Sequence, residues 1–188
     1  MVTRSVCWRR FDGTAMETCR LMDGHDPTGP SLEGTVVGTI GPDPFVCRYG
    51  VGLDDAWQTR RVAIHVVTGD AGPRTFLIIR DEASQWAIDG AAVPGVAGAI
   101  DIDLTFTPAT NTLPIRRLGL SEGESAEVVA AWFRFPEMRL EPLRQRYTRV
   151  GPTTYRYQSD NGFEATLATD DRGLVETYED GWERVGSA

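Results

Sequence analysis

Two adjacent arginines, Arg116 and Arg117, interrupt a stretch of the sequence that is otherwise rich in Leu, Ile and Pro. The stretch reads TPATNTLPIRRLGL and runs from Thr107 to Leu120. If it is extended, both faces of the strand carry apolar side chains, so the face that meets the interior carries one guanidinium with it. Arg60 has the same setting, because it shares the parity of the apolar residues in RRVAIHVV. We therefore expect at least one of the paired arginines to point inwards.

A buried guanidinium has to be paired, because removing one partner of a buried ion pair costs about 3–5 kcal/mol. Two kinds of partner are possible. Carboxylates of the protein itself, such as Glu17, Asp101 or Asp103, would form internal ion pairs with the arginines. Alternatively, the phosphate or carboxylate of a ligand would accept two parallel hydrogen bonds from a guanidinium. The sequence leaves both interpretations open.

Several aromatic residues combine an apolar ring with a polar group at its tip, among them Trp8, Tyr49, Trp57, Trp132 and Tyr147. Such side chains suit a site for an amphiphilic molecule, because the ring packs against apolar atoms while the tip forms a hydrogen bond. They are equally typical of an ordinary core. The candidate ligand-binding residues are therefore Arg60, Arg116, Arg117, Trp8, Tyr49, Trp57 and Tyr147.

Other chemistry finds little support in the sequence. The motifs of common serine hydrolases, nucleotide-binding proteins and zinc peptidases (GxSxG, the Walker loop and HExxH) do not occur. His25 and His65 are too few for a histidine-based metal site. Cys7, Cys19 and Cys47 lack CxxC spacing and are expected to be buried free thiols. We predict no catalytic residue, no metal and no cofactor.

The elements that must position these residues are short segments in which apolar and polar residues alternate, separated by Gly, Pro, Asp and Asn. Near the C-terminus, SDNG separates two such segments and predicts a β-hairpin. The segment Ser121–Phe133 also has the composition of a helix. We favour a strand there, because its apolar residues alternate and Pro136 ends the run.

Many short strands with few helices are typical of an antiparallel sandwich or a curled barrel. The predicted fold class is therefore all-β, with a single curled antiparallel sheet that forms a barrel or half-barrel around an apolar interior. No linker or repeat divides the chain, so residues 1–188 are expected to form a single domain.

The charge and hydropathy of the chain argue against several classes of partner. The net charge is -8, whereas nucleic-acid binding requires a basic footprint, so no nucleic acid is expected. No apolar run approaches the length of about 20 residues that a membrane-spanning helix needs, so we expect no stable membrane insertion. The opening MVTRSVCWRRFDG lacks the apolar run of a signal peptide. These features predict a cytoplasmic protein.

Several stretches of the sequence resemble a bacterial family described as glycolipid-binding, formerly a domain of unknown function. The similarity lies in DIDLTFTPATNTLPIRRLGL, RQRYTRV, YGVGLDDAWQTRRV, the opening from Trp8 to Glu17 and the closing GLVETY. The resemblance implies a single-domain β-barrel-like fold, similar to periplasmic carriers of lipoproteins and to related lipid-binding half-barrels. It carries over no catalytic residue.

The predicted fold and the resemblance favour a non-catalytic binding or carrier protein. Its partner would be an amphiphilic small molecule, such as a glycolipid or a fatty-acyl compound, held in a cavity of the barrel. Two alternatives stay open. The protein could be an enzyme that acts on a sugar or lipid through pocket carboxylates, one of them with a raised pKa. It could also be a structural barrel that is filled by side chains and has no ligand.

Overall fold

The structure, a computed structural model, describes residues 2–23, 29–69 and 72–188 of the chain. About 60% of these residues are strand and 7% are helix, so the all-β prediction is confirmed. The strands belong to one large sheet. His25, which we considered as a metal ligand, lies outside the described residues.

Among the residues that the structure describes, fifteen strands make up this sheet. In chain order they are β1 (Val2–Arg10), β2 (Ala15–Asp23), β3 (Ser31–Ile40), β4 (Asp43–Leu53), β5 (Thr59–Thr68), β6 (Arg74–Arg80), β7 (Trp86–Ile88), β8 (Ala91–Ala92), β9 (Asp101–Leu104), β10 (Ser125–Arg134), β11 (Arg139–Arg149), β12 (Thr154–Ser159), β13 (Glu164–Thr169), β14 (Val175–Tyr178) and β15 (Trp182–Ser187). The described residues also form the helix α1 (Thr112–Leu118) and 3-10 turns at Pro94–Val96 and Ala109–Asn111.

The order of the strands in the sheet follows the chain with a single break. From one edge to the other the sheet runs from β8 down to β1, continues with β15 and returns to β9. Among the described strands the pairs are antiparallel, as predicted, except for β9 and β10, which are parallel. A parallel pair needs a crossover, and the segment that contains the second 3-10 turn and α1 provides it.

The sheet curls without closing into a barrel, and β8 and β9 form its two edges. Along most of a strand such as β2 or β5, every second residue is buried. The interior is packed with side chains, among them the fully buried Trp8, Leu21 and Leu32. Near the two edges, the Phe76 ring of β6 lies 5.4 Å from the Phe133 ring of β10. The predicted half-barrel with an apolar interior is therefore present, and side chains fill it.

Two local predictions are confirmed. Strand β10 occupies the C-terminal part of the segment Ser121–Phe133, where both a helix and a strand were compatible with the sequence. Strands β12 and β13 form the hairpin predicted from SDNG, with Tyr155 opposite Leu167 and Tyr157 opposite Ala165.

The segment Thr107–Leu120 contains a 3-10 turn and α1, so it is not the extended strand on which our argument about the paired arginines depended. The hydroxyl of Thr107 accepts a hydrogen bond from the backbone N–H of Ala109 at 3.0 Å, and this local bond turns the chain after β9. Pro114 lies in the first turn of the helix, where its missing N–H is not needed. Gly119, with a φ of 55°, ends the helix. The apolar residues of this segment therefore follow helical spacing.

Candidate ligand-binding site

One end of the half-barrel opens into a cavity of about 320 Å³, which we call the mouth. It lies between the β1–β2 turn, the β3–β4 turn and the segments that follow β9 and β10. Its apolar wall is formed by Ala15, Ile40, Phe45, Phe106, Phe135, Pro136 and Trp182. Its polar rim is formed by Arg10, Asp12, Thr14, Thr39 and Thr105. The mouth thus places an aromatic surface beside charged groups and hydroxyls.

Three phenylalanine rings make up much of the apolar wall. The Phe135 ring lies 5.0 Å from the Phe45 ring and 5.6 Å from the Phe106 ring. The space for this cluster depends on Gly38, which lies directly opposite Phe45 in the β3–β4 pair. A Cβ atom at position 38 would lie 2.8 Å from the Cβ of Ala15 and 3.0 Å from the Phe45 ring. A larger residue there would displace the wall.

Hydrogen bonds to the Asp12 carboxylate connect the polar residues of the rim. Its Oδ1 accepts a bond from the Thr14 hydroxyl at 2.6 Å and another from the Thr14 backbone N–H at 2.9 Å. Arg10 donates to the same carboxylate at 3.4 and 3.2 Å. The bonds from Thr14, more than those from Arg10, lower the pKa of Asp12 to about 2. The Arg10 guanidinium also lies 5.8 Å from the centre of the Trp182 ring.

A buried carboxyl group, that of Glu17, lies deeper in the half-barrel. Its Oε1 accepts a hydrogen bond from the Tyr49 hydroxyl at 2.5 Å and one from the Thr107 hydroxyl at 2.8 Å. Its Oε2 is buried and has no hydrogen-bond partner among the described residues. Burial raises the pKa of Glu17 to about 8, although the two hydrogen bonds act in the opposite direction. At neutral pH the carboxyl group is therefore mostly protonated.

The neighbours of Glu17 connect it to the mouth. Ala15 lines the mouth. Glu17, two residues later in β2, points to the same side of the strand and lies about 6–7 Å further along it. The Tyr49 ring lies 5.9 Å from the Phe106 ring, which belongs to the wall. Gly34 provides the space for Tyr49, because a Cβ atom at position 34 would lie 2.4 Å from its ring. Glu17 thus lies directly behind the aromatic wall.

The predicted arginines lie elsewhere, and each is paired with an acid. Arg117 of α1 donates from Nε and Nη2 to the two carboxylate oxygens of Asp101, at 3.1 and 2.5 Å. Asp101 is 1% exposed, so this ion pair is buried. Arg60 is 3.0 Å from Asp54 in a pair that is partly exposed.

Arg116 lies at the end of β2 that is opposite the mouth. Its Nη2 is 2.9 Å from Asp23, the last residue of β2, and its guanidinium lies 3.8 Å from the centre of the Trp57 ring. It also donates to the backbone oxygen of Arg172 at 3.2 Å. The contacts of all three arginines match the internal ion pairs of our first interpretation. Ligand binding by these arginines stays a prediction.

The four predicted aromatic residues have separate surroundings. Trp8 is fully buried and donates from its indole nitrogen to the backbone oxygen of Val175 at 2.7 Å. Tyr147 is buried and donates from its hydroxyl to Asn111 at 2.9 Å. Trp57 lies under the guanidinium of Arg116. Tyr49 is the predicted residue that adjoins the mouth, through its contact with Phe106.

Sequence reasoning missed most of the mouth and named Glu17 only as a partner for an arginine. A signal for Glu17 was present, because it lies on the apolar parity of AMETCRLM, among residues that we expect to be buried. The aromatic wall had no comparable signal. Phe45, Phe106 and Phe135 come from three distant parts of the chain, which only the curl of the sheet brings together.

The protein has a larger cavity of about 620 Å³ on the solvent-facing side of β10 to β12. Charged and polar side chains, including Arg144, Arg146 and Asp160, make up much of its lining. We favour the mouth as the site for an amphiphile, because its wall is aromatic. In the part of the chain that the structure describes, no helix is long and apolar enough to cross a membrane. The same residues include no group of three or more His, Cys, Asp or Glu side chains that is arranged to hold a metal ion.

Comparisons with known proteins agree with this architecture. A crystal structure of a DUF1089 family protein from Pseudomonas aeruginosa is 31% identical and superimposes with a TM-score of 0.81, covering 94% of this chain and 95% of that one. No curated relative matches the sequence. A family model with the description "Putative glycolipid-binding" matches residues 5–184. This match spans nearly the whole protein, and the chain belongs to that family.

Proposed function

We propose that this protein binds an amphiphilic molecule of the glycolipid class at the mouth of its half-barrel and does not transform it. The observation that carries the proposal is the composition of the mouth, where aromatic rings form the wall and Arg10, Asp12 and Thr14 form part of the rim. The description of the family supports the same class of ligand.

The two surfaces of the mouth suit an amphiphilic ligand. The aromatic wall can pack against the apolar face of a sugar ring, or against an alkyl chain, where burial of each methylene group contributes about 0.8 kcal/mol. The charged groups and hydroxyls of the rim can form hydrogen bonds with sugar hydroxyls. A cavity of about 320 Å³ is near the lower end of the range for small-molecule sites. The mouth therefore fits one sugar ring or a short length of chain, while the rest of the ligand stays outside.

Calorimetric titration with octyl β-D-glucoside, kept below its micelle-forming concentration, tests the proposal. We expect Ile40→Asp to lower the affinity at least about tenfold, because it places a charge in the apolar wall. Val46→Asp is the matched control, since Val46 is 41% exposed on the outer side of the sheet. Wild-type protein that binds no glucoside, or equal affinities of the two variants, would contradict the proposal.

An enzyme that cleaves a glycosidic bond is the second candidate, because Glu17 has the raised pKa of a general acid. Such an enzyme also needs a second carboxylate about 5–10 Å away. Burial also raises the pKa of a second carboxyl group, that of Asp103, to about 6. One of the Asp103 oxygens, however, already accepts a 2.5 Å hydrogen bond from Gln145. Release of nitrophenol from p-nitrophenyl β-D-glucoside by wild-type protein, and its loss in Glu17→Gln, would favour this candidate over binding alone.

A further inference from the structure

The Oε2 atom of Glu17 is the unusual feature of the interior. Glu17 is only 2% exposed, and this oxygen has no hydrogen-bond partner among the residues that the structure describes. An unsatisfied buried polar group costs about 1–3 kcal/mol, so folded proteins rarely keep one without a use. The other oxygen of the same carboxyl group accepts two hydrogen bonds. Oε2 is therefore free to bind a group that comes from outside.

The hydrogen-bond pattern defines what Oε2 offers. Tyr49 and Thr107 both donate to Oε1, so the proton of the neutral carboxyl group is left on Oε2. Burial raises the pKa values of the nearby Tyr49, Cys19 and Cys47, and these groups stay neutral as well. None of the described hydrogen bonds to Glu17 comes from a cation. The described hydrogen-bond partners of Glu17 are thus uncharged.

We propose that Glu17, Tyr49 and Thr107 form an inner subsite of the mouth, which binds a hydroxyl group of an uncharged, sugar-like head group. This inference rests on the proposed function and adds an orientation to it, with the head group inwards and the alkyl chain towards the opening. The ligand hydroxyl accepts a hydrogen bond from Oε2, while the aromatic wall packs against the sugar ring.

The ring of Phe106 lines the mouth and lies 5.9 Å from the ring of Tyr49, so we infer that it moves aside when a ligand reaches the inner subsite. Phe106 lies in the connection between the end of β9 at Leu104 and the 3-10 turn that begins at Ala109. Its backbone does not belong to a strand, so the ring can move without breaking a strand pairing of the sheet. Thr107 is the next residue, and its hydroxyl donates to Glu17. Movement of this connection therefore shifts both the aromatic wall and a hydrogen-bond partner of Glu17.

The absence of a cation among the described contacts of Glu17 predicts selectivity between head groups. A carboxylate that enters the inner subsite loses its hydration and gains no opposite charge, which is costly. A sugar hydroxyl replaces its bond to water with a bond to Oε2. The wild-type protein should therefore bind octyl β-D-glucoside at least about tenfold more tightly than octanoate, which has an alkyl chain of similar length.

Calorimetric titration of two variants tests the role of Glu17. In Glu17→Gln the side-chain oxygen can still accept from Tyr49 and Thr107 while the amide donates to the ligand, so we expect octyl β-D-glucoside to bind within about threefold of wild type. Glu17→Leu removes the donor and should weaken binding of the glucoside about tenfold, with little effect on octanoate. Circular dichroism verifies that both variants are folded.

The possible failures can be distinguished. If Ile40→Asp weakens glucoside binding but Glu17→Leu does not, the mouth binds the ligand and the inner subsite is wrong. If the wild-type protein binds octanoate as tightly as the glucoside, the inner subsite is also wrong, and this comparison needs no variant to fold. If the wild-type protein binds neither compound, the proposed function fails together with the inference.

Discussion

Glu17 is buried on the face of β2 that also carries Ala15, Cys19 and Leu21, and burial raises its pKa from 4.5 to about 8. In the unfolded chain the carboxyl group loses its proton near the ordinary value. Between these two pKa values the folded protein therefore holds more protons than the unfolded chain. Stability falls with rising pH wherever this is so, and the contribution of the neutral carboxyl group is lost between about pH 4.5 and about pH 8.

We expect Glu17→Gln to remove this pH dependence. Between pH 5 and pH 9 the wild-type protein should lose roughly 2–4 kcal/mol of unfolding free energy relative to the variant. Urea denaturation at several pH values measures the difference. The comparison cancels the contribution of Asp103, whose raised pKa of about 6 acts in the same direction. Parallel stability curves for the two proteins would mean that Glu17 titrates as an exposed residue does.

At the scale of elements, one ion pair ties α1 to the edge strand β9. Arg117 and Asp101 form a two-armed contact in which the side chains are 16% and 2% exposed. Arg117→Met keeps the length of the side chain but leaves the carboxylate of Asp101 without its partner. We expect the variant to lose roughly 3–5 kcal/mol of unfolding free energy, measured by urea denaturation.

Arg60→Met is the matched control for this ion pair. Arg60 is 39% exposed in its contact with Asp54, so solvent weakens the attraction and its loss should cost less than about 1 kcal/mol. Equal destabilisation by the two substitutions would show that burial does not decide the strength of these pairs.

The sequence predicts the elements best where one local pattern decides them. Alternation predicts strands such as β4 and β5, because each buries every second residue. It fails for α1, where apolar residues on both parities are compatible with a strand as well as with a short helix. The bond of Thr107 to the backbone of Ala109, which turns the chain ahead of the helix, leaves only a weak trace in the sequence, as does the left-handed conformation of Gly119, which ends the helix.

The candidate site is harder to predict than the strands because it depends on contacts between distant residues. Glu17 lies on an apolar parity, so its burial can be read from the sequence. Its hydrogen bond to Thr107 joins residues that are 90 positions apart in the chain. The contact requires the curl of the sheet and the turn after β9, and neither has a local pattern that specifies it.

At the scale of the whole molecule, side chains complete what the strands leave open. The hydrogen-bonded sheet ends at the edge strands β8 and β9, and the rings of Phe76 and Phe133 contact each other near these two edges. At the mouth, the ring of Phe106 lines the cavity and lies 5.9 Å from the ring of Tyr49, which donates a hydrogen bond to Glu17. The half-barrel is therefore filled, and under the proposed function a ligand would reach the inner subsite by displacing one ring rather than by entering an open channel.

Nuclear magnetic resonance of ¹⁵N-labelled protein during titration with octyl β-D-glucoside tests the central claim, that the mouth is the binding site. We predict that the largest shifts occur for the backbone amides of residues 10–17, 39–45 and 105–107 and for the indole of Trp182, which line the mouth and its inner subsite. Unchanged resonances there, with shifts confined to the charged cavity around Arg144, Arg146 and Asp160, would contradict it.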